Sequence, residues 1–521
     1  MKVGPQAPTH SPPDLLWWGI GLLVGALYLS VAAFHVAYAS LNVDEGFYAA
    51  ATRAVWQGEV PYRDFGFTQP PLVAYFNAPL LGLTGFGLFQ QRAINALWSL
   101  LAVLLAARMV SRRAGPGPAL LLIALFALTP AWMNYTSLGK TYGLASLLVM
   151  IASTVFLESK PGWRQVTALS AIGVLGAGCR LPAAPLFALL WLAALFAGGR
   201  PSPRLIAIAV SAAGACTLAF FLPFYLSAPE QFKFWIVDFH RVSVPLKDWR
   251  LHWTQLLAFA PSIWAVAIVA IGFAIARGHW RRREIALMVA AAVALATNLL
   301  PRGVYDEYGA PFLPPLATGA LLVLTPWIAE LSRPMTAAFA SSLLLVPLAM
   351  IPAINWRRLE PVQKQFPSFW LPTNTRPYNF KLPENIGRAR AIVQRLLPTG
   401  QPFIGPHILL AIEADRPIPR TMRMGAFTFS FDYEADQADR LHLMTHAEFE
   451  KQLRDPAVPL IGMHVDNTFN YSWSVPSFTY QTPEALNAWG MLVARSFAPV
   501  YADTDSVIFA RPHLLPSNSS R

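Results

Sequence analysis

Asp44 and Glu45 close the first long apolar run of the chain, Leu15 to about Tyr38, in the context Asn42-Val43-Asp44-Glu45. A carboxylate at a membrane edge is costly unless it is paired or used, so such a residue is read first as functional. The chemistry open to the pair is removal of a proton or retention of a cation. A solvated pair at a helix end is the plain alternative. Asp306-Glu307 is a second acidic pair; it either joins Asp44 in holding a metal or an acceptor, or pairs with nearby Arg302. The basic residues Lys140, Arg180, His240, Arg241 and Arg302 fall on the same side of the expected topology. Cations there can hold an anion, and a guanidinium fork suits a phosphate. Arg180 stands at the end of an apolar run, where it finds a counter-ion among helices or snorkels to the interface. His240 and Arg241 lie in a polar loop, where a surface role competes with anion contact. Asp503-Thr504-Asp505 has a metal-binding form, yet it precedes the apolar Ser506–Ala510 and reads as a turn.

The elements that must position these residues follow from composition. Of 521 residues, 55% are hydrophobic and 13% charged, against about 25% charged in a soluble domain. The chain reads as a polytopic membrane protein. Its formal charge of +12 lies largely in short loops, where basic residues set topology, so nucleic acid is not an expected partner. About eleven spans are expected, at roughly 15–38, 92–110, 117–133, 141–157, 165–179, 182–198, 205–225, 254–276, 285–300, 311–329 and 335–354. With a cytoplasmic N-terminus, the clusters Arg112-Arg113, Lys160 with Arg164, Arg200 with Arg204, Arg277 with Arg281-Arg282-Arg283, and Arg333 all fall inside. The N-terminal run has no small-residue cleavage site after it and reads as a retained span. Residues 1–354 form the expected membrane domain, with a first outer loop over 39–91. Residues 355–521 form a small α/β domain outside, after a Pro-rich stretch from Pro361 to Pro383. Within it, Ile386 to Leu397 has helical spacing, Thr445 with Glu448 suggests a capping box, Thr482-Pro483 opens a helix, and Phe403-Ile404, Leu460–Met463 and Ser506–Ala510 suit strands. Asp432-Tyr433-Glu434 and the aromatic Phe469–Phe478 stretch offer a carbohydrate surface or plain packing. Cys179 and Cys216 both fall in expected spans and carry no metal spacing. Neither a P-loop, a dinucleotide loop nor a nucleophile elbow is present.

The first outer loop is more specific than the acidic pair. Asp44-Glu45, Tyr48-Ala49, Gly58, Pro61-Tyr62, Gln69-Pro70-Pro71-Leu72 and then Arg92 resemble the first outer loop of C-type (GT-C) glycosyltransferases. The likeness is to the bacterial branch with protein O-mannosyltransferases and lipid A aminoarabinose transferases. It covers about the first hundred residues, and extends more loosely to Gly178–Pro182 and Tyr305–Pro311. Gln69 is a departure, since aminoarabinose transferases tend to have Lys before the two prolines. The resemblance implies a sugar moved, with inversion, from a polyprenyl-phosphate donor to a cell-envelope glycan, lipid or protein at the outer membrane face. It implies Asp44 as general base, with Glu45 binding acceptor, positioning Asp44 or helping to hold a divalent cation. Asp44 and Asp306 are the candidate metal ligands. Lys140, Arg180, His240, Arg241 and Arg302 are the candidates for the donor phosphate. Tyr62, Asp64, Gln69, Tyr305, Asp306 and Glu307 are candidates for substrate contact. The alternative is a transporter or flippase of a lipid-linked sugar; the clustering of polar residues at one face and the absence of paired halves favour the enzyme.

Overall fold

The structure, a computed structural model, describes residues 15–242, 260–278, 281–299, 306–331, 335, 338, 340–345, 378–429, 433–464 and 483–515. It is mostly helical, with one small sheet near the C-terminus. Helix α1 (Leu15–Tyr38) leads into α2 (Asp44–Trp56) and α3 (Leu72–Thr84). The bundle continues with α4 (Leu88–Ala114), α5 (Pro116–Ala127), α6 (Pro130–Ser137), α7 (Tyr142–Glu158), α8 (Trp163–Cys179), α9 (Ala184–Phe196) and α10 (Pro203–Ser227). After the short α11 (Pro229–Lys233) and α12 (Phe239–Val242) come α13 (Pro261–Arg277), α14 (Arg282–Leu299) and α15 (Leu313–Glu330).

Among the described residues, four stretches are long and apolar enough to cross a membrane: Trp17–Tyr38, Leu88–Ala114, Pro203–Ser227 and Glu307–Glu330. Helix α10 presents the kind of surface a bilayer covers. Only Ala209 of it is buried in protein, while Ile206, Val210, Leu218, Leu222 and Leu226 stand exposed. Lipid can cover such a surface and water cannot. Helix α4 is the opposite case. Ala102, Val103, Ala106, Ala107 and Val110 are buried, and these small side chains let α5, α7 and α15 pack closely on it. The span expected over 117–133 is instead two helices. Pro130 opens α6 and holds Thr129 extended (φ −90°, ψ 103°), so the first helix stops at Ala127. The span expected over 335–354 lies largely outside the described residues.

The two ends of the bundle differ chemically. At one end Arg113 pairs with Glu284 at 2.7 Å and donates to the Leu157 carbonyl, and Arg283 donates to the carbonyls of Leu157 and Ser159. Three of the basic loops therefore meet there. At the other end lies the segment 39–91, expected as the first outer loop, which carries α2 and α3. Between them the chain folds tightly on itself. Tyr62, at φ 72°, donates its hydroxyl to the Gln69 carbonyl at 2.7 Å, and Asp64 accepts the Val60 N–H at 2.7 Å.

The C-terminal region holds α16 (Leu382–Leu396), α17 (Ile408–Glu413), α18 (Ala435–Arg440), α19 (His446–Arg454) and α20 (Pro483–Ser496). Strands β1 (Leu460–His464), β2 (Ala498–Ala502) and β3 (Ser506–Ala510) form an antiparallel sheet in the order β1-β3-β2. Thr445 caps α19 by accepting the Glu448 N–H. Asp503 accepts the N–H groups of Asp505 and Ser506, so the Asp-Thr-Asp motif is the β2–β3 turn. Phe403-Ile404 makes no strand. Ile404 forms an isolated bridge with Ile461, after which Gly405 turns away at φ 130°. Asp432 and Phe469–Phe478 lie outside the described residues.

Candidate active site

Asp44 and Glu45 begin α2, where negative charge suits the exposed N–H groups of a helix start. Asn42 shapes that start: its side chain accepts the Asp44 N–H at 3.0 Å, and its own N–H goes to Glu45 Oε2 at 3.0 Å. The two carboxylates then part company. Glu45 is completely buried and held in a fork by Arg92, with Nε to Oε1 and Nη2 to Oε2 both 2.7 Å. Glu45 Oε1 also accepts the Gly139 N–H at 2.8 Å. Arg92, itself fully buried, donates to the carbonyls of Ala39 at 2.8 Å and Ser40 at 3.1 Å, just beyond α1. This clasp ties α1, α2, α4 and the loop before α7 together.

Asp44 faces the other way. Its Oδ2 lies 2.8 Å from Lys140 Nζ. The same ammonium reaches Glu307, 2.9 Å from Oε1 and 3.1 Å from Oε2, and the Tyr142 hydroxyl donates to Glu307 Oε1 at 2.7 Å. Burial pushes the Asp44 carboxyl above its ordinary range; Lys140 opposes this, while Glu307 and Glu45 add to it. Burial acts to lower the pKa of Lys140, but Asp44 and Glu307 outweigh it and keep the ammonium charged.

Helix α4 holds the loop that carries Lys140. Asn95, one turn beyond Arg92, donates to the Leu138 carbonyl and accepts the Gly143 N–H. A Cβ on Gly143 would sit 2.2 Å from the Asn95 carbonyl oxygen, so only glycine lets α7 start so close to α4.

Arg180 is 3% exposed and lies between two aromatic faces, 4.3 Å from the Tyr142 ring and 4.4 Å from that of Tyr308. Its Nη1 donates to Thr141 Oγ1 at 3.0 Å, and its Nε is buried with no partner. Among the described residues it forms no ion pair, unlike Arg92 and Lys140. It lines a cavity of about 400 Å³ with Gln69, Pro70, His240, Asn298 and Tyr308. His240 Nε2 donates to the Thr68 carbonyl, 2.7 Å away.

Of the expected site residues, the structure brings together Asp44, Lys140 and Glu307 in one network and Arg180, Gln69 and His240 around one cavity. Glu307 pairs with Lys140. Arg241 stands apart, exposed and 3.9 Å from Asp238. Tyr62 and Asp64 are spent on the loop's own turn, and Arg63 pairs with Asp64 at 2.7 Å. Arg302, Tyr305 and the Asp306 side chain lie outside the described residues. Sequence reasoning missed the Arg92 clasp, Asn95, and the Tyr142 and Tyr308 sandwich. Among the described residues no three His, Cys, Asp or Glu side chains converge as metal ligands.

No protein-family model matches the sequence, and no curated protein matches it. Solved structures do resemble the fold. ArnT from Cupriavidus metallidurans bound to undecaprenyl phosphate superposes with a TM-score of 0.59 at 16% identity, covering 97% of this chain and 99% of that one. The same ArnT in the apo state gives 0.61 at 15%, covering 97% and 100%. An Archaeoglobus fulgidus oligosaccharyltransferase tethered with an acceptor peptide gives 0.44 at 12%, covering 97% and 75%. The ArnT likeness, over nearly the whole of both chains, shows that this chain shares the fold of that protein.

Proposed function

We propose that this chain, which has the GT-C fold, is an integral membrane glycosyltransferase of about eleven spans. In this reading it transfers a sugar from a polyprenyl-phosphate donor to a cell-envelope acceptor at the outer face. The observation that carries the reading is the pairing of two sites at one end of the bundle. A half-buried carboxylate with raised proton affinity, Asp44, stands at the same end as a guanidinium, Arg180, that has no ion-pair partner among the described residues and lines a cavity. The resemblance to an ArnT captured with undecaprenyl phosphate supports the choice of donor.

The chemistry follows from these atoms. An acceptor hydroxyl gives its proton to Asp44 and attacks the anomeric carbon from the face opposite the phosphate. The bond from that carbon to the phosphate oxygen breaks, and the electron pair leaves with the lipid phosphate. Inversion follows from the single displacement. Asp44 is the general base. Arg180 binds the donor phosphate and stabilises its growing charge. Glu45, saturated by Arg92 and Gly139, positions Asp44. Lys140 and Glu307 set the charge around Asp44. Gln69, on the rim of the Arg180 cavity, replaces a cation with an amide, so donor binding leans more heavily on Arg180. The residues in hand assign no metal; a divalent cation held by Asp44 with Asp306 remains part of the proposal. The test is incubation of the purified chain with polyprenyl-phosphate sugars and an envelope extract. Release of free lipid phosphate that depends on the extract supports the reading; transfer of intact donor across a vesicle membrane without release supports a flippase.

A further inference from the structure

A second cavity, about 260 Å³, opens at the seam between α2 and the C-terminal region. Helix α2 lines it with one face, Ala50, Arg53, Ala54 and Gln57, spaced at helical intervals. Thr399 and the stretch from Asp415 to Ile418 close the other side. Asp44 does not line it: Arg53 is nine residues further along α2, about 14 Å at 1.5 Å per residue.

Arg53 is the group that lacks an adequate partner. Its side chain is 11% exposed, and Nη2 donates to the Arg416 carbonyl at 2.8 Å. Its ion-pair partner, Asp415, is 3.7 Å away with a side chain 95% exposed. Water screens such a pair, which contributes little. Burial lowers the pKa of Arg53, Asp415 opposes this, and the nearby Arg423 adds to it. Arg423 borders the same cavity, but Glu59 occupies both arms of its fork. The Arg416 guanidinium is engaged by the carbonyls of Leu397, Gln394 and Ala414. The cavity therefore presents one under-compensated cation, ringed by an amide, a hydroxyl and a carboxylate.

We propose that this cavity binds a saccharide carrying an anionic group, with the anion on Arg53 and the hydroxyls on Gln57, Thr399 and Asp415. A guanidinium selects a phosphate or carboxylate. The mixed donors and acceptors suit a polyol, and Ala50 and Ala54 give an apolar floor for the carbon face of a ring. The volume is near the small end of ligand pockets, roughly 300 Å³, which suits one sugar unit. That this unit belongs to the acceptor glycan rests on the transferase reading above; the binding itself does not.

The test is ligand-observed NMR on the detergent-solubilised full chain, titrated with glucose 6-phosphate, glucuronate, glucose and inorganic phosphate. The two anionic sugars are expected to bind, and glucose at least about tenfold more weakly, as the loss of one charge-assisted contact implies. Arg53→Gln is expected to weaken the anionic sugars by a similar factor and leave glucose unchanged. Thr399→Val, which alters no charge, is expected to weaken every sugar. Equal binding of glucose and glucose 6-phosphate, or binding untouched by both substitutions, overturns the proposal. Inorganic phosphate binding as tightly as glucose 6-phosphate overturns the saccharide assignment. Anionic sugars that bind as expected, on a chain that releases no lipid phosphate from any donor, leave this site standing and remove the transferase reading.

Discussion

In the proposed transfer the carboxyl of Asp44 and the guanidinium of Arg180 have opposite duties, and their surroundings differ accordingly. Asp44 shares one ammonium with Glu307, so its proton affinity is raised by burial and only partly offset by Lys140. Its acid form persists to higher pH than the usual Asp value of about 3.9. A general base must be ionised, so the transfer rate is expected to fall as pH drops through this raised pKa. A pH–rate profile checks this: its acid limb should lie above the ordinary Asp range and vanish in Asp44→Asn. That substitution should cost about 10² to 10⁴ in rate, with folding preserved because Lys140 keeps Glu307 as its partner; near-normal turnover would move the base elsewhere. Arg180→Lys retains charge but loses the planar fork held between Tyr142 and Tyr308, and Arg180→Ala loses both. Steady-state kinetics with donor and acceptor varied separately should show donor handling impaired by the first and more so by the second. Unchanged donor kinetics in Arg180→Ala would assign the phosphate to another cation. Asp44, Lys140, Arg180 and Glu307 were legible as charges at the ends of apolar runs. The two tyrosines were not, because aromatics at such ends equally form the interfacial belt of any membrane protein.

At the scale of elements, α4 is the part that makes the site. Arg92 and Asn95, one turn apart, hold Glu45 and the loop of Lys140. Arg92 sits in an otherwise apolar pattern, where a sequence shows a charge but not its partner 47 residues away. Removing one side of a buried ion pair leaves the other uncompensated, typically at about 3–5 kcal/mol. Glu45→Ala and Arg92→Ala are therefore expected to lower thermal stability sharply, measured by melting in detergent, whereas Asp44→Asn should not. Equal melting of Asp44→Asn and Arg92→Ala would deny the clasp its structural role. The C-terminal region reaches the same helix. Glu413, at the end of α17, accepts the Leu88 N–H at 2.6 Å and so caps α4. Helix α17 also presses on α2, where a Cβ on Gly46 would lie 3.1 Å from the Leu409 nitrogen. Loss of a cap costs about 1 kcal/mol. Glu413→Ala should therefore lower the melting temperature in detergent modestly, and Glu413→Gln, which keeps an acceptor oxygen, should restore it; parallel loss in both variants would point to charge rather than capping. None of this contact was visible in sequence, since Glu413 and Leu88 are 325 residues apart.

For the whole molecule, the helical membrane bundle, strands β1 and β3 of the C-terminal sheet and the helices around Ile386 and Thr445 were legible, because hydrophobic period and turn chemistry are local; β2, less buried than its neighbours, was not. The break at Thr129 was not, because the apolar run continues through Pro130 while the helix does not. The gathering of Arg113, Arg283 and their partners at one end, with Asp44 at the other, agrees with a cytoplasmic basic end. Reporter fusions at Arg112 and Gly400 are expected to report opposite sides; the same side for both would place the C-terminal region away from Asp44 and contradict the contacts of α17. The most direct measurement is release of free lipid phosphate from a polyprenyl-phosphate sugar, compared between the purified wild-type chain and Asp44→Asn under identical conditions. The account predicts release by the wild type that requires acceptor and that is lost in the variant. Release at equal rates by both proteins, or none by a folded wild type with any lipid-linked donor and envelope acceptor, would contradict it.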